Sequence, residues 1–209
     1  MYRLILAMIT ALLLSASFVA NASYDAELQG YGVFSNLNKD WMLMALYSDV
    51  ADDTKQSKPQ RLEIKIATKK FSARRFRQLW LETLAVEHGT DKIAAMQEEL
   101  QAFFNVVQGT LKKGDTLILE QTDVEGLAIT DVKINYHSLA QLSEGFLDVL
   151  VQSLVGKHPP TQALKTGLTG HASLREQTNV SIRFERLEPT LPRIAEISRW
   201  GKRILASNR

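Results

Sequence analysis

The 209-residue sequence contains no cysteine. That absence excludes disulfide staples, a thiol nucleophile, thiolate-bound zinc and lipid attachment through an N-terminal cysteine. Histidine is scarce too. His88, His137, His158 and His171 stand apart, without the H-x-H or H-E-x-x-H spacing that brings two imidazoles to one metal. Neither sign of charge dominates: 25 basic and 23 acidic side chains leave a formal net of +2, so nothing global points to nucleic acid. No G-x-S-x-G elbow, P-loop or dinucleotide fingerprint occurs. The neighbouring carboxylates Glu98 and Glu99 read as a solvated helix face. No metal site and no cofactor are expected, and beyond the N-terminus no run is long and apolar enough to cross a bilayer.

What is present begins with a leader. Met1-Tyr2-Arg3 is a short basic start, Leu4 to Leu14 is apolar apart from Thr10, and Ala20-Asn21-Ala22 forms an A-x-A cleavage site. Residues 1–22 are expected to be a signal peptide, with a retained anchor as the alternative reading. The remainder, 23–209, has the length of one ordinary domain able to bury its own core. Its expected location is the periplasm of a Gram-negative source.

Along that domain, Leu28 to Val33 reads as a strand whose Gly30 and Gly32 suggest a bulge or a close backbone approach. Trp41 to Ser48 is apolar at nearly every position, as a strand covered on both faces requires, and the two should form a hairpin. Asp49 to Pro59 is a polar loop. Leu62, Ile64 and Ile66 alternate as a third strand. Ser72 then caps a helix carrying Phe76, Leu79, Trp80, Thr83 and Leu84 and ending near Gly89. A second helix is expected to run from Thr90 through Ile93, Met96, Leu100, Phe103, Phe104, Val107 and Leu111. Thr116–Gln121 and Leu127–Thr130 pattern as a hairpin, with Lys133–Tyr136 extending the sheet. A helix with Leu142, Phe146, Val149, Leu150, Ser153 and Leu154 follows, then a short helix over Thr161–Leu168. Val180–Arg186 alternates as a strand. Pro192 opens a final basic, amphipathic helix with Ile194, Ile197, Trp200 and Ile204 on one side and Arg193, Arg199, Lys202 and Arg203 largely elsewhere, on its charged exterior. Strands joined by hairpins and mixed with helices indicate α+β with an antiparallel sheet.

Two places in this pattern carry chemistry. Lys69, Lys70, Arg74, Arg75 and Arg77 crowd a helix start, where the macrodipole disfavours each cation by about 0.3–1 kcal/mol. The crowd is either a solvated basic face or a place for an anion to meet guanidinium groups and free N–H donors. Arg74 and Gln78, four residues apart, share one side of that helix. Ser153 falls on the apolar side of its own helix. Its hydroxyl either bonds the carbonyl four residues back or points into a ligand cavity.

The run Arg61–Trp80, the hairpin GDTLILEQTDVEGLAI and the segment QSLVGKHPPTQAL (Gln152–Leu164) resemble the chalcone isomerase family, and within it the exported bacterial chalcone isomerase-like branch. The likeness covers residues 28–170 and leaves 171–209 as a basic extension. It implies an open-faced β-sandwich, one large antiparallel sheet backed by a layer of helices, with the ligand cleft between the two. Enzymes of the family close a chalcone to a flavanone by adding a phenolate oxygen across an enone, and use arginine, threonine, tyrosine, lysine, asparagine and a serine or threonine. Those positions fall here on Phe34, Met42, Phe71, Arg74, Gln78 and Ser153.

Only the serine is kept. With phenylalanine in place of the arginine, no cation holds the phenolate, and Phe71 deletes a hydroxyl. The resemblance therefore implies a protein that binds rather than converts its guest, as some members resemble fatty-acid binders. In that reading Arg74 would pair with a carboxylate, Gln78 and Ser153 would hydrogen-bond it, and Phe34, Met42 and Phe71 would line the apolar part. Two alternatives remain open: an isomerase or intramolecular lyase on another substrate, and an envelope protein that meets a partner or membrane through residues 188–209.

Overall fold

A computed structural model describes residues 26–49 and 58–207. The expected signal peptide and most of the polar loop after Asp49 lie outside the described residues.

Three hairpins build the sheet. The glycine-containing β1 (Ala26–Asn36) turns through Leu37 and Asn38 into the apolar β2 (Lys39–Asp49), and Phe34 lies opposite Met42 across the pair. Beside β2 runs β3 (Pro59–Ile66), and beside β3 runs β6 (Thr116–Val124). Glu125 and Gly126, both at positive φ, make the tight turn to β7 (Leu127–Ile134). A second such turn at Asn135 and Tyr136 leads to β8 (His137–Ser143). The order is β1-β2-β3-β6-β7-β8, antiparallel throughout. A separate two-stranded ribbon pairs β4 (Lys70–Ser72) with β5 (Thr110–Lys112).

Five helices contribute to the principal core on one face of this sheet: α1 (Ala73–Ala95), α2 (Gln97–Asn105), α3 (Gly145–Val155), α4 (Gln162–Leu168) and α6 (Leu191–Ser207). Their apolar sides meet Met42, Met44, Leu62, Ile64, Leu117 and Val132 from the strands. Phe76, Trp80, Phe103, Phe104 and Phe146 form a linked aromatic cluster within that core, with ring centroids 5.1–6.4 Å apart. On the opposite face α5 (Leu174–Glu185) covers only the β1–β2 end, where Phe184 packs on Leu43 and Ala45. That cover explains why β2 is apolar on both sides. The other strands bear charge pairs on this side, such as Arg61 with Glu63 and Lys133 with Glu120. This is an open-faced, antiparallel α+β architecture. Among the described residues no helix is long and apolar enough to cross a membrane.

The glycines of β1 serve the close approach expected of them. A Cβ on Gly32 would lie 2.8 Å from Leu164 Cδ1, and one on Gly167 would lie 2.5 Å from the Tyr31 carbonyl oxygen. The chain then crosses the β1 edge from α4 to α5. Gln177 fills the edge position a further strand would take, accepting from Tyr31 N–H at 2.8 Å and donating to its carbonyl at 3.3 Å.

Several elements differ from the sequence reading. Val180–Arg186 is helical, not extended. Ser173 and Glu176 form a reciprocal capping box that starts α5, and its inward contacts come from Val180 and Phe184, four apart, while Ile182 stays exposed. Leu111 and Leu142 belong to strands β5 and β8, so the helices around them are shorter than expected. The helical run after Gly89 also breaks at Met96. Gly89 itself, at φ 78°, ψ 166°, interrupts the helix where a stop was expected. In α6, Arg193 turns inward and is buried.

Candidate functional site

The basic junction is built by the β4–β5 ribbon. Ala73 N–H donates to Gly109 carbonyl at 3.1 Å, which holds the start of α1 against the turn before β5. Ser72 Oγ accepts from Arg75 N–H at 3.3 Å, the cap expected from sequence, and the first turn contains no acidic residue. From there Phe76 and Trp80 enter the core, which leaves Arg74, Arg77 and Gln78 exposed.

Arg74 and Arg77 line an open groove of about 460 Å³ between α1 and the end of α2. Its floor is apolar, formed in part by Phe104 and Val107, and Asn105 and Gln108 stand at its rim. The Arg77 guanidinium lies 5.6 Å from the centre of the Phe104 ring, a cation–π contact. Among the described residues no carboxylate lies within 4 Å of either Arg74 or Arg77. Two guanidinium groups, a helix start and an apolar floor can hold an anion that has an apolar part. The groove provides no hydroxyl nucleophile, carboxylate or imidazole for proton transfer.

The six residues singled out from sequence separate into three places. Phe34, Met42 and Phe71 come together in the core, where Trp41 stands edge-on between the two phenylalanines at 6.0 and 5.7 Å. Arg75 stands beside this group, its guanidinium 5.6 Å from the centre of the Trp41 ring. Arg74 lies on the groove, and Gln78, further along the exposed side, donates to Glu82 at 2.8 Å. Ser153 is fully buried in α3 and donates to the Leu150 carbonyl at 2.7 Å, three residues back rather than four. The Val149 carbonyl, the partner anticipated for it, is instead bonded by His88 Nε2 at 2.8 Å. Arg74 and Ser153 therefore do not face a shared space.

The sequence places Arg77 in the basic crowd at the helix start but not with Arg74 and Gln78, although it stands three positions from Arg74 on the same helix side, and it gives no sign of Phe104 and Val107 as groove residues. Phe104 and Val107 belong to a different element, and their inward spacing reads as core, which most of their surface is. Among the described residues no cluster of three metal-ligating side chains occurs.

Comparison with known proteins agrees with this architecture. A family model described as chalcone isomerase-like matches residues 17–170. The crystal structure of a fatty-acid binding protein from Arabidopsis thaliana superposes with a TM-score of 0.52 at 18% identity, over 80% of this chain and 94% of that one. No curated protein sequence matches. With three quarters of its length under the family model and the same open-faced sheet, the chain belongs to the chalcone isomerase-like family.

Proposed function

We propose that this protein is a non-catalytic member of its family that binds a small amphipathic anion, such as a fatty acid, after export to the periplasm. The observation that carries the reading is the pair Arg74 and Arg77 over the apolar floor of Phe104 and Val107. The carboxylate would sit between the two guanidinium groups, where bidentate, charge-assisted hydrogen bonds are available. The chain would lie along the floor and gain about 0.8 kcal/mol for each methylene withdrawn from water. Phe34, Met42 and Phe71 lie in the core apart from this groove, and Gln78 would extend the polar rim.

Two further points favour binding over conversion. By the family resemblance, Phe34 and Phe71 fall where the enzymes use an arginine and a tyrosine, and the Ser153 hydroxyl already donates to Leu150. The basic helix α6 is a weaker candidate for partner contact, because Ile197 and Trp200 are buried on the protein's own core. The fatty-acid binding activity in the name of the Arabidopsis protein is consistent with the reading.

Native mass spectrometry of protein purified from the periplasm tests it. A bound adduct of fatty-acid mass, released by organic extraction and absent from the Arg74→Ala/Arg77→Ala protein, is the expected result. Recovery of the wild-type protein without ligand, together with no uptake of added palmitate, would overturn it. The same preparation tests export, since the mature chain is then expected to begin at Ser23.

A further inference from the structure

A second hollow lies at the opposite end of β2 from Met42. It is an open hollow of about 380 Å³ between the sheet and α3. Leu46, Val151 and Val155 supply an apolar wall, and Ser48, Gln152 and Asp148 add polar groups. Val151 and Val155 follow Asp148 at i+3 and i+7, so one side of α3 presents a carboxylate beside two branched apolar side chains.

The carboxylate is the unexplained group. Asp148 Oδ1 is buried and has no hydrogen-bond partner. An unsatisfied buried acceptor is costly, and one that borders an open hollow gains from a guest that donates to it. The nearby cation does not complete it. Lys58 lines the same hollow, but its ammonium is held by Glu144 at 2.6 Å, and its backbone N–H donates to Asp49. Burial first of all pushes the Asp148 carboxyl above the usual aspartate range; Lys58 pulls the other way, and the charges of Glu144 and Asp49 add to the rise. With Lys58 paired to Glu144, Asp148 leaves the charge facing the hollow negative among the described residues.

That charge disfavours a fatty acid or any other anion. A metal ion would need more ligands than this one carboxylate, and no three-ligand cluster occurs among the described residues. We propose that the hollow binds a primary organic ammonium with a short apolar chain, its N–H donating to Asp148 Oδ1 and its alkyl part lying on Leu46, Val151 and Val155. Gln152 and Ser48 are placed to take the remaining N–H donors. The site is independent of the Arg74 groove and stands whether or not a fatty acid binds there.

Calorimetric titration of the protein with n-hexylammonium, n-hexanol and hexanoate at neutral pH tests the assignment. Hexylammonium is expected to bind tightest, to lose about tenfold or more of its affinity in Asp148→Asn, and to keep it in Arg74→Ala. A second measurement needs no variant: the Asp148 carboxyl carbon, followed by NMR, should titrate at lower pH once hexylammonium is present. Hexanol or hexanoate binding as tightly as the amine would overturn the proposal. So would unchanged amine affinity in Asp148→Asn, or an Asp148 titration indifferent to the amine.

Discussion

Arg193 and Asp115 form a buried, two-pronged ion pair. Arg193 Nε lies 2.9 and 3.0 Å from the two carboxylate oxygens, and Nη2 lies 2.6 Å from Oδ2. Asn135 donates to the same carboxylate at 2.9 Å, Nη2 also reaches the Thr110 carbonyl, and the guanidinium lies 5.1 Å from the Trp200 ring. One side chain of α6 thus joins the chain's end, beyond the stretch matched by the family, to the start of β6 and the β7–β8 turn. Burial alone would ease the proton off this guanidinium; the bonds to Asp115 and Glu196 prevail and hold it on more firmly than usual.

Removing one half of a buried pair leaves the other charge without compensation, which costs about 3–5 kcal/mol. Arg193→Met should therefore lower the unfolding free energy by about that amount in urea titration. Hydrogen exchange should show α6 losing protection before the sheet. Unaltered exchange in α6 would mean that Ile197 and Trp200 alone hold the helix.

The contact between β1 and α4 is a second point of strain-free closeness. A methyl group at 167 would press on the Tyr31 carbonyl oxygen, so Gly167→Ala should cost about 1–3 kcal/mol by overpacking. Gly89→Ala meets open space, but φ 78°, ψ 166° is a backbone region that glycine alone occupies freely, so the variant should lose about 1–3 kcal/mol for conformational reasons only. Thermal melts of both variants should fall, and an unchanged melt for either would contradict its account.

These particulars show what the sequence made legible. Period-two alternation placed β3, because one-sided burial writes itself directly into apolar spacing, and the unbroken apolar run of β2 marked a strand covered on both faces. The glycines of β1 signalled their close approach without naming α4 as the neighbour. Val180–Arg186 misled because three apolar residues two apart fit a strand, whereas the Ser173 cap, only a few residues upstream, decides for helix. Arg193 read as solvent-facing because its partner, Asp115, lies 78 positions away. The groove was half legible: the arginines share a helix, but its floor comes from residues whose spacing reports only burial.

Glu87 offers a pH test. Its carboxylate accepts from Lys157 N–H at 2.9 Å and His158 N–H at 2.6 Å, which ties α1 to the loop before α4. Burial alone would raise its pKa; the two backbone donors outweigh that and hold it below the usual glutamate range. The folded value lies below the unfolded one, so the stabilisation is complete above the ordinary glutamate pKa of about 4.3 and is lost as pH falls through the lowered folded value. Glu87→Gln should cost about 1–3 kcal/mol near neutral pH and flatten the acid side of the stability curve. Parallel wild-type and variant curves would exclude this linkage.

Ser153 separates binding from chemistry. Its hydroxyl donates to Leu150 inside α3, so Ser153→Ala should change stability by about 1 kcal/mol or less and leave fatty-acid affinity unchanged. A large loss of affinity in this variant would place the hydroxyl in the ligand's path.

Palmitate titration into wild-type and Arg74→Ala/Arg77→Ala protein, with decylammonium as the cationic control, decides whether the groove beside α1 holds an amphipathic anion. Both arginines are exposed, so the double variant should fold as the parent does. Loss of two charge-assisted contacts should weaken palmitate binding by about a hundredfold and leave decylammonium binding unaffected. Equal palmitate affinity in the two proteins would contradict the assignment of Arg74 and Arg77 as the anion's partners.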